Sequence, residues 1–123
     1  MRIAVAASPE AAIPTLKWIK DSTHTLVRVF SQPDRESGRG RILTPTPVSR
    51  WALENHVELV RPDSALAMRE HLLDVDLVIT IGYGVLLPVE ILSLVKNGFL
   101  NLHFSLLPRW RGGCASTARD RSW

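Results

Sequence analysis

The chain has almost no cysteine. Cys114 is the single one among 123 residues, so no intrachain disulfide can form, and a reducing, cytoplasmic setting is expected. It also lacks any apolar run near the roughly 18–20 residues that a helical membrane span requires, so no membrane role is expected. The opening "MRIAVAASPE" is too short for a signal peptide and meets Glu10 early, which reads as a first strand instead. Glycine is missing from the first strand–helix turn, "AASPE". A dinucleotide-binding turn needs glycine there so that the backbone can approach a pyrophosphate. NAD or FAD binding is therefore not expected, and the later pair Gly82 and Gly84 does not supply the missing pattern. No internal repeat and no low-complexity tract interrupts the chain.

What is present is a mildly basic, apolar-rich sequence of one-domain size. Hydrophobic residues make up 46% and charged residues 22%, enough to bury a single core. The net charge of +3 permits an acidic partner without requiring one. Short β-rich runs alternate with helical patterns. Strands are expected at Arg2–Ala7, Thr25–Phe30, Val57–Val60, Asp76–Gly82 and Phe99–His103. A first helix follows Ser8, a candidate N-cap, with Pro14 either kinking it or delaying its start. Further helices are expected at Pro47–Asn55 behind a Thr46 cap, at Ser64–Leu73 with Leu66, Arg69, Glu70 and Leu73 at helical spacing, and at Pro88–Lys96. This alternation implies a mostly parallel sheet with helices on its faces. Ligands of such sheets sit beyond the carboxyl ends of the strands.

Two stretches carry chemistry. In "NLHFSLLP", Asn101 and His103 are two apart, so in an extended segment they share a side. An amide donor beside an imidazole suits a developing oxyanion, as in acyl or formyl transfer. The plainer alternative is a histidine that ends a strand and bonds a nearby carbonyl. His24, His56 and His71 lie in loop or helix contexts without evident partners. The second stretch is the long connection from Ser31 to Pro47, with Arg35, Arg39 and Arg41 and, just beyond, Arg50. Gly38 and Gly40 flank Arg39. Arginine on a glycine-rich loop suits phosphate contact, although a plain solvated loop is the competing reading.

Taken together, "SPEAAIPTL", "QPDRESGRGRILTPTPVSRWALE", "IGYGVLLP" and "NLHFSLLPRWRGG" resemble, in order and spacing, the N-terminal domain of the methionyl-tRNA formyltransferase family. "NLHFSLLP" alone is similar to the wider group of 10-formyltetrahydrofolate-dependent formyltransferases. The resemblance implies a Rossmann-like α/β fold, a mainly parallel five-stranded sheet with helices on both faces, forming an incomplete formyltransferase domain over 1–113. It implies formyl transfer from 10-formyltetrahydrofolate to the amino group of initiator methionyl-tRNA. Asn101 and His103 match the first two members of an Asn-His-Asp set. Ser105, Leu106, Leu107 and Pro108 match a folate-contacting segment, and Tyr83 and Gly84 would help wall the pterin pocket. Arg39, with Arg35 and Arg41, would meet the tRNA backbone, and no metal is implied.

The sequence departs from the family pattern in three ways. Ala7 stands where the family usually shows glycine. The stretch Cys114–Trp123 resembles nothing in the family and is expected to be an unrelated tail, free to be disordered. The third catalytic residue, an Asp further along in the family, is absent, and Asp120 is too close to His103 to serve. The expectation is a truncated, inactive chain whose strand 99–103 is an open edge prone to self-association. Rival readings are a folate-dependent formyltransferase for a small nucleotide-linked amine, and a non-catalytic remnant or binding module.

Overall fold

A computed structural model of the chain describes residues 1–38, 40 and 42–103. In chain order its elements are β1 (Arg2–Ala7), α1 (Ile13–Asp21), β2 (Thr25–Phe30), β3 (Arg35–Ser37), β4 (Ile42–Thr44), α2 (Pro47–Glu54), β5 (Leu59–Val60), β6 (Leu77–Ile81), α3 (Val89–Leu92) and β7 (Phe99–Leu102), with 3-10 turns at Glu10–Ala12 and Leu66–His71. Five strands form one sheet in the order β5-β2-β1-β6-β7. Every neighbouring pair in it is parallel. The fold is thus the parallel α/β sheet that the alternation implied, with the Rossmann-like layout that the resemblance implied.

β1 lies at the centre because nothing in it needs water. Ile3 to Ala7 are all buried, as a strand covered on both faces must be. Its residues alternate between two apolar layers. Ile3, Val5 and Ala7 pack with Leu16 and Ile19 of α1 and with Val48 and Trp51 of α2. Ala4 and Ala6 face the other layer, with Phe30, Met68, Leu72, Val78 and Ile91. A bulge keeps β2 in step with this division. Ile3 pairs with Leu26 but Ala4 pairs with Arg28, so Val27 is skipped. The extra residue resets the period of two, and Leu26 and Val29 then share the first layer.

Several local expectations change. Ser8 does not cap the first helix: its Oγ is buried and has no hydrogen-bond partner. The chain instead makes a 3-10 turn at Glu10–Ala12, and Pro14 falls in the first turn of α1, which starts only at Ile13. Proline has thus delayed the helix rather than kinked it, since its missing N–H is harmless there. Thr46 does cap α2, accepting from the Ser49 N–H at 3.0 Å. The helix expected at 64–73 forms only 3-10 turns at Leu66–His71. It buries Met68 and Leu72 and leaves Leu66 and Leu73 exposed, so its inward face was misread. The third strand shortens to Leu59–Val60. The helix expected at 88–96 shortens to Val89–Leu92, with Pro88 as its N-cap.

The connection 31–47 is not structureless. β3 and β4 pair as an antiparallel hairpin, Arg35 opposite Thr44 and Ser37 opposite Ile42. Its base is tied down. Ser31 Oγ lies 2.5 Å from Thr46 Oγ1, and Arg61 donates to Asp34 at 2.8 Å. Arg39 and Arg41 lie outside the described residues.

Candidate active site

β6 and β7 end side by side, and their carboxyl ends build the site. Thr80 and Asn101 are register partners across the pair. Along β7, Phe99 packs toward the second apolar layer and Leu102 toward the first. Strand alternation therefore puts Asn101 and His103 on the same side as Phe99. Thr80 Oγ1 donates to Asn101 Oδ1 at 3.0 Å. With the oxygen taken, the amide nitrogen is turned to His103, and Nδ2 sits 3.2 Å from Nε2. The two residues that the spacing paired are thus brought together, and Thr80 orients one of them.

The contact has a chemical consequence. A neutral imidazole protonated on Nδ1 accepts from Asn101 through the Nε2 lone pair. When Nε2 carries a proton, two N–H groups face the same space, and a shared acceptor must lie between them. An oxyanion is such an acceptor. The pair can therefore receive a proton in one state and hold a negative oxygen in the other.

The glycines of "IGYG" shape the wall next to this pair. Gly82 has φ +54, and a Cβ there would meet Pro9 Cγ at 2.9 Å. Gly84 has φ +80, and its Cβ would meet Gln32 Nε2 at 2.7 Å. Neither position accommodates a side chain. Between them Tyr83 turns inward and is buried in the second layer. Burial pushes its phenol up to about 12, so it stays protonated and serves as packing. A cavity of about 640 Å³ opens here, lined by Thr80, Asn101 and His103, by Tyr83 and Gly84, and by the apolar Val85, Leu87 and Phe99.

Arg35 is exposed at the start of β3 and donates to Gln32 Oε1 at 2.8 Å. Gln32 Nε2 in turn donates to the Tyr83 carbonyl at 2.8 Å. Ser105 to Pro108, with Arg39, Arg41, Asp120 and the tail 114–123, lie outside the described residues. The other histidines sit elsewhere and, contrary to expectation, two of them have partners. His24 Nδ1 lies 3.0 Å from the Met1 amino group, and the His71 ring meets Phe30 edge-on at 6.3 Å between centroids. His56 closes the end of α2 at φ 57. Two site residues escaped the sequence reading, Thr80 and Gln32. Thr80 was detectable as the one hydroxyl in an aliphatic strand. Gln32 opens the "QPDRESGRG" stretch and follows β2 closely, but nothing in the sequence assigned it a partner.

Among the described residues no group of three or more His, Cys, Asp or Glu could hold a metal ion, and no helix is long and apolar enough to cross a membrane.

A parallel five-stranded sheet with helices, and a bonded amide–imidazole pair at one strand's carboxyl end, defines an α/β domain of the Rossmann-like class. The chain belongs to the formyl transferase family, whose model matches residues 1–121. It is 44% identical over 117 residues to the methionyl-tRNA formyltransferase of Hydrogenovibrio crunogenus, covering 91% of this chain and 37% of that protein. Against the methionyl-tRNA formyltransferase of Methylococcus capsulatus the identity is 41%, over 91% of this chain and 38% of the relative. For that of Pseudomonas syringae it is 42%, over 91% and 37%. The chain thus spans little more than a third of the length of these curated relatives.

Proposed function

We propose that this chain carries the donor-side half of a formyl-transfer site, moving a formyl group from 10-formyltetrahydrofolate to the amino group of initiator methionyl-tRNA. The bonded series Thr80–Asn101–His103 at the cavity is the observation that carries the reading. The cavity suits a flat heteroaromatic donor, because apolar Val85, Leu87 and Phe99 line it together with the polar Thr80, Asn101 and His103. The methionyl amine attacks the formyl carbon and a C–N bond forms. The carbonyl oxygen becomes an oxyanion between the Asn101 N–H and a protonated His103 Nε2. The tetrahedral intermediate then collapses, the bond to N10 of the folate breaks as N10 takes the His103 Nε2 proton, and the proton that the former amine nitrogen gives up then restores it on His103. By the resemblance, Ser105 to Pro108 contact the folate, and Arg35, Arg39 and Arg41 meet acceptor-stem phosphates. No metal takes part, and the reaction belongs to the cytoplasm, where the aminoacylated tRNA is.

The test grafts residues 1–103 in place of the matching segment of the Pseudomonas syringae relative. The chimera should formylate initiator methionyl-tRNA. Asn101→Ala within it should slow single-turnover transfer on the order of 10²–10³-fold, the usual loss for one oxyanion donor. A folded chimera without transfer, or one indifferent to Asn101→Ala, overturns the reading.

A further inference from the structure

The sheet order puts a crevice above β1. The chain leaves β1 toward β2 on one side and returns to β6 on the other, so the loops after β2 and β6 diverge across the top of the central strand. One side chain spans that crevice. Gln32, just past β2, reaches the Tyr83 carbonyl just past β6 at 2.8 Å, and its other end takes the Arg35 guanidinium at 2.8 Å.

Only a side chain with a donor at one end and an acceptor at the other makes both contacts, which is what an amide offers. The opposing residue is fitted to it: at Gly84 a Cβ would stand 2.7 Å from the Gln32 nitrogen. The far end of the bridge is the base of the β3–β4 hairpin, where Arg35 pairs across to Thr44. The near end is the carbonyl of Tyr83, and Tyr83 and Gly84 both line the cavity.

We propose that Gln32 is a positioning residue that couples the arginine hairpin to the Tyr83–Gly84 wall, so that an RNA engaging the hairpin and a ligand in the cavity strengthen each other's binding. Seating RNA phosphates on the hairpin fixes Arg35. A fixed Arg35 holds the Gln32 oxygen, and the Gln32 N–H then holds the wall against the donor. The coupling is reciprocal, because each ligand stabilises the arrangement that the other needs. The identity of the ligands rests on the formyl-transfer reading above, whereas the bridge rests on geometry alone.

Gln32→Glu separates the two contacts, because a carboxylate still accepts from Arg35 but has no hydrogen for the Tyr83 carbonyl. The first arm uses ligand-free protein and follows amide hydrogen exchange at residues 83–86, with β1 amides as the control for folding. Exchange at 83–86 should quicken about fivefold in Gln32→Glu, the worth of one hydrogen bond, and should also quicken in Arg35→Ala. Wild-type exchange in both variants overturns the proposal. Should Gln32→Glu fail to fold, Gln32→Met, which removes both contacts, is set against Arg35→Ala, which keeps the Tyr83 contact, and exchange at 83–86 that stays at the wild-type rate in Gln32→Met overturns the proposal. The second arm titrates 5-formyltetrahydrofolate with and without a short RNA acceptor-stem hairpin. RNA should tighten folate binding several-fold in the wild type and leave it unchanged in Gln32→Glu. Equal linkage in both proteins overturns the coupling. Wild-type protein that binds no folate overturns the formyl-transfer reading instead, and the exchange arm still decides the bridge.

Discussion

At position 80 a threonine interrupts the aliphatic strand Leu77–Ile81, and its hydroxyl decides which way the Asn101 amide points. Thr80→Val keeps the β-branched shape that the strand favours and deletes the hydroxyl. The Asn101 oxygen then has no donor to hold it, and the amide is free to turn its oxygen toward His103. In the grafted enzyme, single-turnover transfer should fall about tenfold while folate affinity stays within about twofold. An unchanged rate would show that Asn101 is oriented by something else. His56 makes a different argument at the same scale. It occupies the left-handed position after α2, with the Val57 N–H bonded to the Ala52 carbonyl at 3.0 Å and the His56 N–H to the Leu53 carbonyl at 3.4 Å. Glycine is relaxed at such a position and histidine is not. His56→Gly should raise stability by about 0.5–1 kcal/mol, read as a higher denaturant midpoint with unchanged slope.

Among the elements, β2 carries a charged contact that is largely buried on its Arg28 side. Arg28 is almost wholly buried at the edge of the second apolar layer and donates to the His71 carbonyl at 2.7 Å. Its guanidinium also bonds both oxygens of Asp74 and reaches Glu58 at 3.3 Å. The Arg28 guanidinium holds the Asp74 carboxyl down to about 2 from an ordinary 3.8. A depressed carboxyl adds stability above its unfolded value and loses it as the pH falls through the folded one. The window is therefore between about pH 4 and pH 2. Solvent reaches 45% of the Asp74 side chain, so screening trims the contribution to about 1 kcal/mol. Asp74→Asn should be less stable than the wild type at neutral pH, and the two should converge as the pH approaches 2. A difference that stays constant across that range would refute the assignment.

The same elements show what the sequence disclosed. β1, β2, β6 and β7 were legible because short, β-rich, mostly apolar runs alternate with helical patterns along the chain, and Thr46 and Pro47 marked the start of α2. The turns at Leu66–His71 were misread because a segment of that length completes too few turns to define a face, and Leu66 and Leu73 happened to match the helical period. The hairpin β3–β4 was hidden because three-residue strands show no alternation. At the site, spacing put Asn101 and His103 on one side of an extended segment but left a strand-ending histidine as the alternative, and it was the resemblance to the formyltransferases that singled the pair out. The Thr80 and Gln32 contacts were not, since they join residues 21 and 51 apart in sequence through sheet register and a crevice that only the fold creates.

For the whole molecule, the consequence of the sheet order lies at β7. It is the outermost strand on its side among the described residues, and it pairs only with β6 there. Leu100 is 49% exposed on it, and the exposed Leu86 and Val89 precede it in the chain. A parallel edge strand with an apolar side chain on open ground is a template for another strand. We therefore expect the chain to self-associate through this edge, with the average mass rising along a concentration series in light scattering. The remedy that natural edges use is charge. Leu100→Lys should lower the association strongly and leave the fold intact, because the Leu100 side chain already meets solvent and packs in neither apolar layer. The Asn101–His103 contact, on the opposite side of the strand, should survive the change, and folate binding should therefore persist in the monomeric variant. A wild-type chain that stays monomeric at high concentration would show that β7 is covered in solution. Association that Leu100→Lys leaves untouched would move the interface to another part of the surface.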